Sequence, residues 1–207
     1  MLPVLIIFSR FPEPETSKTR LIPALGAVGA ARLQEEMTRH TLRIAAELAQ
    51  DYPVQVEVHF AGGDEGLMRQ VFGEDFPYRH QVVGNLGEKM QTALEGALGQ
   101  GASRAAVIGT DCPNLTARRL RQAFEALNTW ELVLGPAYDG GYYLIGCRRV
   151  WPQLFIDMPW GTDQVLARTL AAARGAGLNP YVLEPLPDVD RPEDLAIWEA
   201  VRRDHVR

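Results

Sequence analysis

Apolar positions along the chain switch repeatedly between a strand-like and a helix-like spacing. Residues 3–9 are a continuous apolar run, which predicts a strand covered on both faces. Residues 10–23 are rich in proline and basic groups and predict a loop. Over residues 27–50, Ala30, Leu33, Met37, Ile44 and Leu48 fall on one helical stripe. Val54, Val56, Val58 and Phe60 then alternate strictly, as in a half-buried strand. Asp64 is read as the cap of a short helix ending near Gly73. A short strand is expected over 79–83 and a helix over 87–98, with Met90, Ala93, Leu94 and Ala97 inward.

The second half repeats the alternation. Residues 104–109 predict a strand, and Thr116 caps a helix that runs through Asn128. Strands are expected over 131–135 and 142–147, separated by a glycine-rich loop. Thr162 is taken as the cap of a helix to about residue 174, where Gly175 and Gly177 stop it. A last strand over 180–185 leads through a Pro- and Asp-rich loop to a closing helix over 192–204. Strands alternating with helices in this way imply an α/β layered fold.

Length and charge narrow the class. At 207 residues and about 150 residues per domain, one domain over 1–207 is expected. The 46% hydrophobic content is that of a globular protein, and the net charge of −5 argues against general nucleic-acid binding. No apolar stretch reaches the roughly 20 residues of a membrane span. Residues 1–8 lack a basic leader and a small-residue cleavage site, so they read as a strand and not a signal peptide. Cys112 and Cys147 form neither a disulfide framework nor a zinc spacing, and a cytoplasmic protein is the expectation. His40, His59, His80 and His205 are scattered and are given no role. No nucleophile elbow is present, which argues against a Ser-His-Asp hydrolase.

Charged and glycine residues gather where loops follow strands, the usual place for ligands in open α/β sheets. In the loop after the first strand, Arg10, Lys18 and Arg20 are candidates for phosphate oxygens; the bland reading pairs them with Glu13 and Glu15. The loop is not a Walker A motif, because its glycines are missing. Gly109-Thr110-Asp111-Cys112-Pro113 puts Asp111 at the end of a buried strand, where a metal on a diphosphate would need a carboxylate. In Tyr138-Asp139-Gly140-Gly141-Tyr142-Tyr143, Asp139 is a candidate general base, set against a plain hairpin turn. Gly140 and Gly141 would let backbone approach an acceptor closely, and one of the two tyrosines is expected to face the core. Asp190 is either the cap of the last helix or a second metal carboxylate. Gly87 and Lys89 stand at a helix start suited to an anion, and Trp160 puts an aromatic on a loop. The apolar residues Trp151, Phe155 and Trp160 are read as either a homodimer face or core.

Together these blocks resemble the radical-SAM/selenodomain-associated transferase 1 family, a group of GT-A-like nucleotide-diphospho-sugar transferases. The matching text is Phe8 to Pro23 with Lys18-Thr19-Arg20-Leu21; Leu86 to Met90; Ile108 to Pro113; Gly135-Pro136 with Asp139 to Tyr142; Pro159 to Thr162; and Asp188 to Asp190 with Pro192 to Leu195. The ordered set spans nearly the whole chain. The resemblance implies a three-layer α/β/α sandwich with a mostly parallel mixed sheet, of the nucleotide-diphospho-sugar transferase type. It further implies phosphate binding by Arg10, Lys18 and Arg20, a metal site at Asp111 with Asp190, and an acceptor loop at Asp139-Gly140-Gly141. The family usually has Lys at Arg10, Gly at Glu15 and Arg at Lys89.

Three functions follow. The first is glycosyl transfer from a nucleotide sugar to a small-molecule acceptor with Mg²⁺ or Mn²⁺; if Asp139 takes the acceptor's proton, the transfer inverts the anomeric centre. The second is nucleotidylyl transfer from a nucleoside triphosphate to a phosphorylated acceptor. The third is a non-catalytic nucleotide-binding module, for which Glu15 in the phosphate loop is the argument.

Overall fold

The computed structural model describes residues 1–204, so His205 lies outside the described residues. Strand β1 (Val4–Arg10) is the apolar run expected first, and it is paired on both edges. Helix α1 (Ile22–Asp51) follows, with Pro23 in its first turn and a break at Gly26, whose φ is 70°. The regular helix therefore starts just beyond Gly26, as the apolar stripe predicts. Next come β2 (Gln55–Ala61), α2 (Glu65–Phe72), β3 (Tyr78–His80), α3 (Leu86–Gly99) and β4 (Ala105–Ile108). Helix α4 (Ala117–Ala126), strands β5 (Leu132–Pro136) and β6 (Tyr142–Cys147), helix α5 (Val165–Gly175), β7 (Tyr181–Val182) and α6 (Leu195–Asp204) complete the order.

The seven strands lie in one sheet in the order β3-β2-β1-β4-β6-β5-β7. Only β6 runs antiparallel to its neighbours, β4 and β5. The sheet is therefore mixed and mostly parallel, an α/β architecture. Alternate strand residues feed two cores. Leu5 and Ile7 pack with α1, α2 and α4 on one face, through Ala45, Met68 and Phe124 among others. Val4 and Ile6 pack with α3 and α5 on the other, through Leu94 and Ala173. Helix α6 lies outside, where Trp198 closes a small cluster with Leu33 and Met37 of α1.

Several local expectations are corrected. Residues 10–23 are not all loop: Thr19–Leu21 form a 3-10 turn and α1 begins at Ile22. The strand expected over 79–83 is Tyr78–His80. The one expected over 180–185 is only Tyr181–Val182, continued by a single bridge between Ala137 and Leu186. Thr162 does not cap α5; its hydroxyl accepts from Gln164 N and donates to the Pro159 carbonyl, closing a turn before the helix. Asp190 is not the last helix's cap either. Arg191 stands at the N-cap of a 3-10 turn over Pro192–Asp194 ahead of α6, and the Asp194 carboxylate reaches back to accept from Asp190 N and Arg191 N. The caps at Asp64 and Thr116 are as expected, accepting from Leu67 N and Arg119 N. Trp151 and Phe155 are core, 5% and 4% exposed, so they supply no dimer face. Among the described residues no helix is long and apolar enough to cross a membrane.

Candidate active site

Six strands point their carboxyl ends to one edge of the sheet, and β6 starts there. Along that edge lies a cleft of about 610 Å³. It collects the loops after β1, β4, β5 and β7, the start of α3 and the segment before α5.

The loop after β1 is built around Ser17, which is fully buried. Its hydroxyl donates to the Phe11 carbonyl and accepts from Glu13 N. This fold of the loop brings Lys18 inward, with φ of 45°. The Lys18 ammonium, 4% exposed, donates to Asp111 Oδ1 and to the Val189 carbonyl, both at 2.8 Å. Val189 N in turn donates to the Asp111 carbonyl, so the loops after β4 and β7 are stitched together beneath the lysine. Arg20 pairs with Asp190. Lys18 and Arg20 therefore meet distant carboxylates, and not Glu13 and Glu15 as the bland reading has it, while Arg10 makes no ion pair among the described residues.

Nine of the sequence-derived candidates line this cleft: Arg10, Lys18, Arg20 and Lys89 on the basic side, Asp111, Asp139 and Asp190 on the acidic side, with Gly141 and Trp160. Gly87 and Gly140 do not. A Cβ at Gly87 would lie 2.6 Å from the Phe155 carbonyl and 2.7 Å from Trp160, so Gly87 lets α3 approach the aromatic wall. Gly140 has φ of 87° and its backbone passes against that of Asp163. Asp139 Oδ1 accepts from Gly141 N at 2.8 Å, which holds the turn and leaves the other oxygen to the cleft. Tyr143 is the tyrosine that faces the core, 5% exposed. Tyr142 lines the cleft edge-on to Trp160, and its hydroxyl end is buried toward Thr169.

Sequence reasoning passed over Asp188, which lines the cleft between Asp139 and Asp190 in charge terms. Burial, and then the neighbouring Asp139 charge, push its carboxyl up to about 6. The signal available was its place in Asp188-Val189-Asp190, where alternate residues can share a direction. Gln34 and Gln81 were also passed over, and both line the cleft. Burial pushes the Cys112 thiol well above its ordinary range, so it stays protonated and inert. Glu15 is exposed and does not line the cleft, so its charge is not set against a ligand there.

Among the described residues no three His, Cys, Asp or Glu side chains gather as a metal cage. Asp111 and Asp190, with side chains 53% and 36% exposed, each present a carboxylate to the cleft. Magnesium characteristically takes one or two carboxylates and completes its shell with phosphate oxygens and water. The donor set fits a divalent ion that arrives with a diphosphate.

The sheet order and the edge-of-sheet cleft define the class: the fold is that of nucleotide-diphospho-sugar transferases and nucleotidyltransferases. The chain belongs to the DUF2064 family, described as "Uncharacterized protein conserved in bacteria", whose model matches residues 42–162. A crystal structure of a "putative nucleotide-diphospho-sugar transferase" from Desulfovibrio desulfuricans G20 is similar with a TM-score of 0.82 and 28% identity, covering 92% of this chain and 84% of that one. CMP:2-keto-3-deoxy-manno-octonic acid synthetase complexed with CTP shares the fold at a TM-score of 0.60 and 16% identity, covering 99% and 100%. Rv0371c of Mycobacterium tuberculosis H37Rv, in complex with manganese, does so at 0.59 and 15%, covering 95% and 97%. No curated protein matches the chain.

Proposed function

We propose that the chain transfers a glycosyl group from a nucleotide-diphosphate sugar to a small-molecule acceptor, with Mg²⁺ or Mn²⁺. The observation that carries this reading is the charge pairing at the strand ends: Lys18 and Arg20 meet Asp111 and Asp190 from 93 and 170 residues away in sequence. Arg10 and Lys89 line the same cleft and make no ion pair among the described residues. They meet phosphate oxygens first, and Arg20 turns from carboxylate to phosphate as these arrive. Asp111 and Asp190 would hold the metal. When bound, the ion neutralises charge on the departing diphosphate. Asp139 accepts the acceptor's proton through its free oxygen.

Asp139 and Asp188 have no cation partner among the described residues. That pair repels a phosphorylated acceptor and suits a hydroxyl, which must lose a proton to attack. This favours glycosyl transfer. The second reading, nucleotidylyl transfer from a nucleoside triphosphate, is supported by the likeness of fold to the CTP-bound synthetase. The finer family placement with the radical-SAM/selenodomain-associated transferases, and one domain over residues 1–207, belong to the same proposal; the ordered motifs and the single sheet support them.

Product analysis tests it. The chain is incubated with nucleotide sugars and, separately, nucleoside triphosphates, each with Mn²⁺ and a panel of hydroxyl and phosphorylated acceptors. Release of free nucleoside diphosphate is the expected result, and release of pyrophosphate instead moves the assignment to nucleotidylyl transfer. Asp111→Asn is expected to abolish turnover while unfolding cooperatively; full activity in that variant removes the metal role.

A further inference from the structure

Two amide side chains beside the end of β1 have no part in the transfer just described. Gln81 follows β3, and its Nε2 donates to the carbonyls of His59 (3.1 Å) and Ser9 (3.4 Å). A carbonyl only accepts, so this amide has one orientation, with nitrogen on the sheet edge and Oε1 turned away. Gln34 comes from α1 and is 5% exposed. Its Nε2 donates to Thr38 Oγ1 (3.1 Å) and Thr110 Oγ1 (3.3 Å). Thr38 meets Ser9 Oγ at 3.1 Å, and Ser9 Oγ donates to the Arg10 carbonyl. With the Ser9 proton on the Arg10 carbonyl, the proton order runs from Gln34 through Thr38 and Ser9 to Arg10. In this order Gln34 donates, and its Oε1 is the atom left over. Among the described residues neither glutamine oxygen accepts from a protein donor, and neither is a buried atom without a partner. Both residues line the cleft, so each oxygen is a pre-set acceptor open to it.

We propose that Gln34 and Gln81 read the base of the donor nucleotide, and that this base carries an exocyclic amino group. The inference rests on the reading that a nucleotide's phosphates lie among Lys18, Arg20 and Asp111. The base then takes the β1–β3 half of the cleft, because the β5–β7 half presents Asp139 and Asp188 to the acceptor. Two fixed acceptors match an edge with two N–H hydrogens. Cytosine and adenine supply these from the amino group, and guanine from the amino group and its ring N–H. Uracil and thymine offer one N–H flanked by two carbonyls. One glutamine oxygen then faces another acceptor, which a desolvated site rejects strongly.

Calorimetric titration of the full chain with GDP, CDP, ADP, UDP and pyrophosphate, each with Mn²⁺, tests this. The tightest amino-bearing nucleotide is expected to bind at least about tenfold more tightly than UDP. Gln81→Leu is expected to cut that ratio below about threefold while pyrophosphate affinity stays within about twofold, because the phosphates do not touch the base subsite. Gln34→Leu is the second variant, and thermal unfolding confirms that each is folded. UDP binding as tightly as the best amino-bearing nucleotide overturns the proposal, as does an undiminished ratio in both variants. If pyrophosphate binds and no base is preferred, the base inference fails and the donor reading stands. If neither pyrophosphate nor any nucleotide binds, both fall.

Discussion

Glu15 sits at φ of 68°, in the left-handed region that glycine occupies freely. The resembling family usually has glycine there, and the backbone angle gives the reason. An L-residue in this region costs about 1–2 kcal/mol, offset by about 0.5–1 kcal/mol because glycine loses more freedom on folding. Glu15→Gly is therefore expected to stabilise the protein by up to about 1 kcal/mol, a rise of roughly 2–4 °C in Tm. A fall in Tm on calorimetric scanning would refute the strain argument. Asp188 gives a second expectation. Burial and Asp139 raise its carboxyl to about 6, from 3.8. The folded protein then holds this proton more tightly than the unfolded chain, so the contribution to stability falls as pH rises from about 4 to 6 and is level above that. Asp188→Asn removes the penalty. Because Asp188 is only partly buried, solvent screening limits the gain to about 1 kcal/mol at pH 7. The Tm difference between variant and parent should vanish below about pH 4; a difference that persists there would point to a cause other than this charge.

Elements were legible in the sequence to the extent that each declares itself locally. The stripe from Ala30 to Leu48 and the alternation from Val54 to Phe60 fix α1 and β2, because periodicity is set by which face is buried. The cap at Thr116 was legible for the same local reason. Thr162 as a cap, and the cap alternative for Asp190, failed because a cap residue and a turn residue have the same chemistry, and only the path of the chain decides between them. The β5–β6 hairpin was legible as a turn signal at Asp139-Gly140, but the antiparallel pairing of β6 with β4 was out of reach, since strand order is a property of long-range pairing. The charged residues of the cleft were legible as loop motifs, whereas Gln34 and Gln81 were not. Their meaning lies in hydrogen bonds to Thr110 and Ser9, 76 and 72 residues away. Gly140 joins the β5–β6 hairpin to α5, for its carbonyl accepts from Leu166 N at 2.9 Å and its α-carbon lies against Asp163. Gly140→Ala combines a positive φ with a backbone clash. It is expected to cost about 2–4 kcal/mol and to lower Tm by roughly 5 °C or more. An unchanged Tm would mean that the hairpin and α5 can separate freely.

At the scale of the whole molecule, two carboxylates of the cleft are already paired with two of its cations. Asp111 is already paired with Lys18 and Asp190 with Arg20, so a divalent ion arriving alone must displace an ammonium or a guanidinium. A nucleotide arriving alone brings phosphate charge against Asp111, Asp139, Asp188 and Asp190. On the proposed reading, phosphates and ion arriving together would exchange these pairs, the phosphates taking the cations and freeing the carboxylates for the ion. Each ligand thus removes the obstacle to the other, and the coupling must be reciprocal. A two-by-two thermal-shift experiment measures it. Metal alone and nucleotide alone are each expected to move Tm by less than about 1 °C, while both together at about 100 times their dissociation constants add about 2.7 kcal/mol, or roughly 5–10 °C. Asp111→Asn removes one end of the proposed exchange: Lys18 loses its charged partner, and the ion would lose one of its carboxylates. The variant is expected to show nucleotide binding without metal dependence. A full shift with metal alone, or a coupling that survives Asp111→Asn, would mean that the ion binds at a place these four charges do not control.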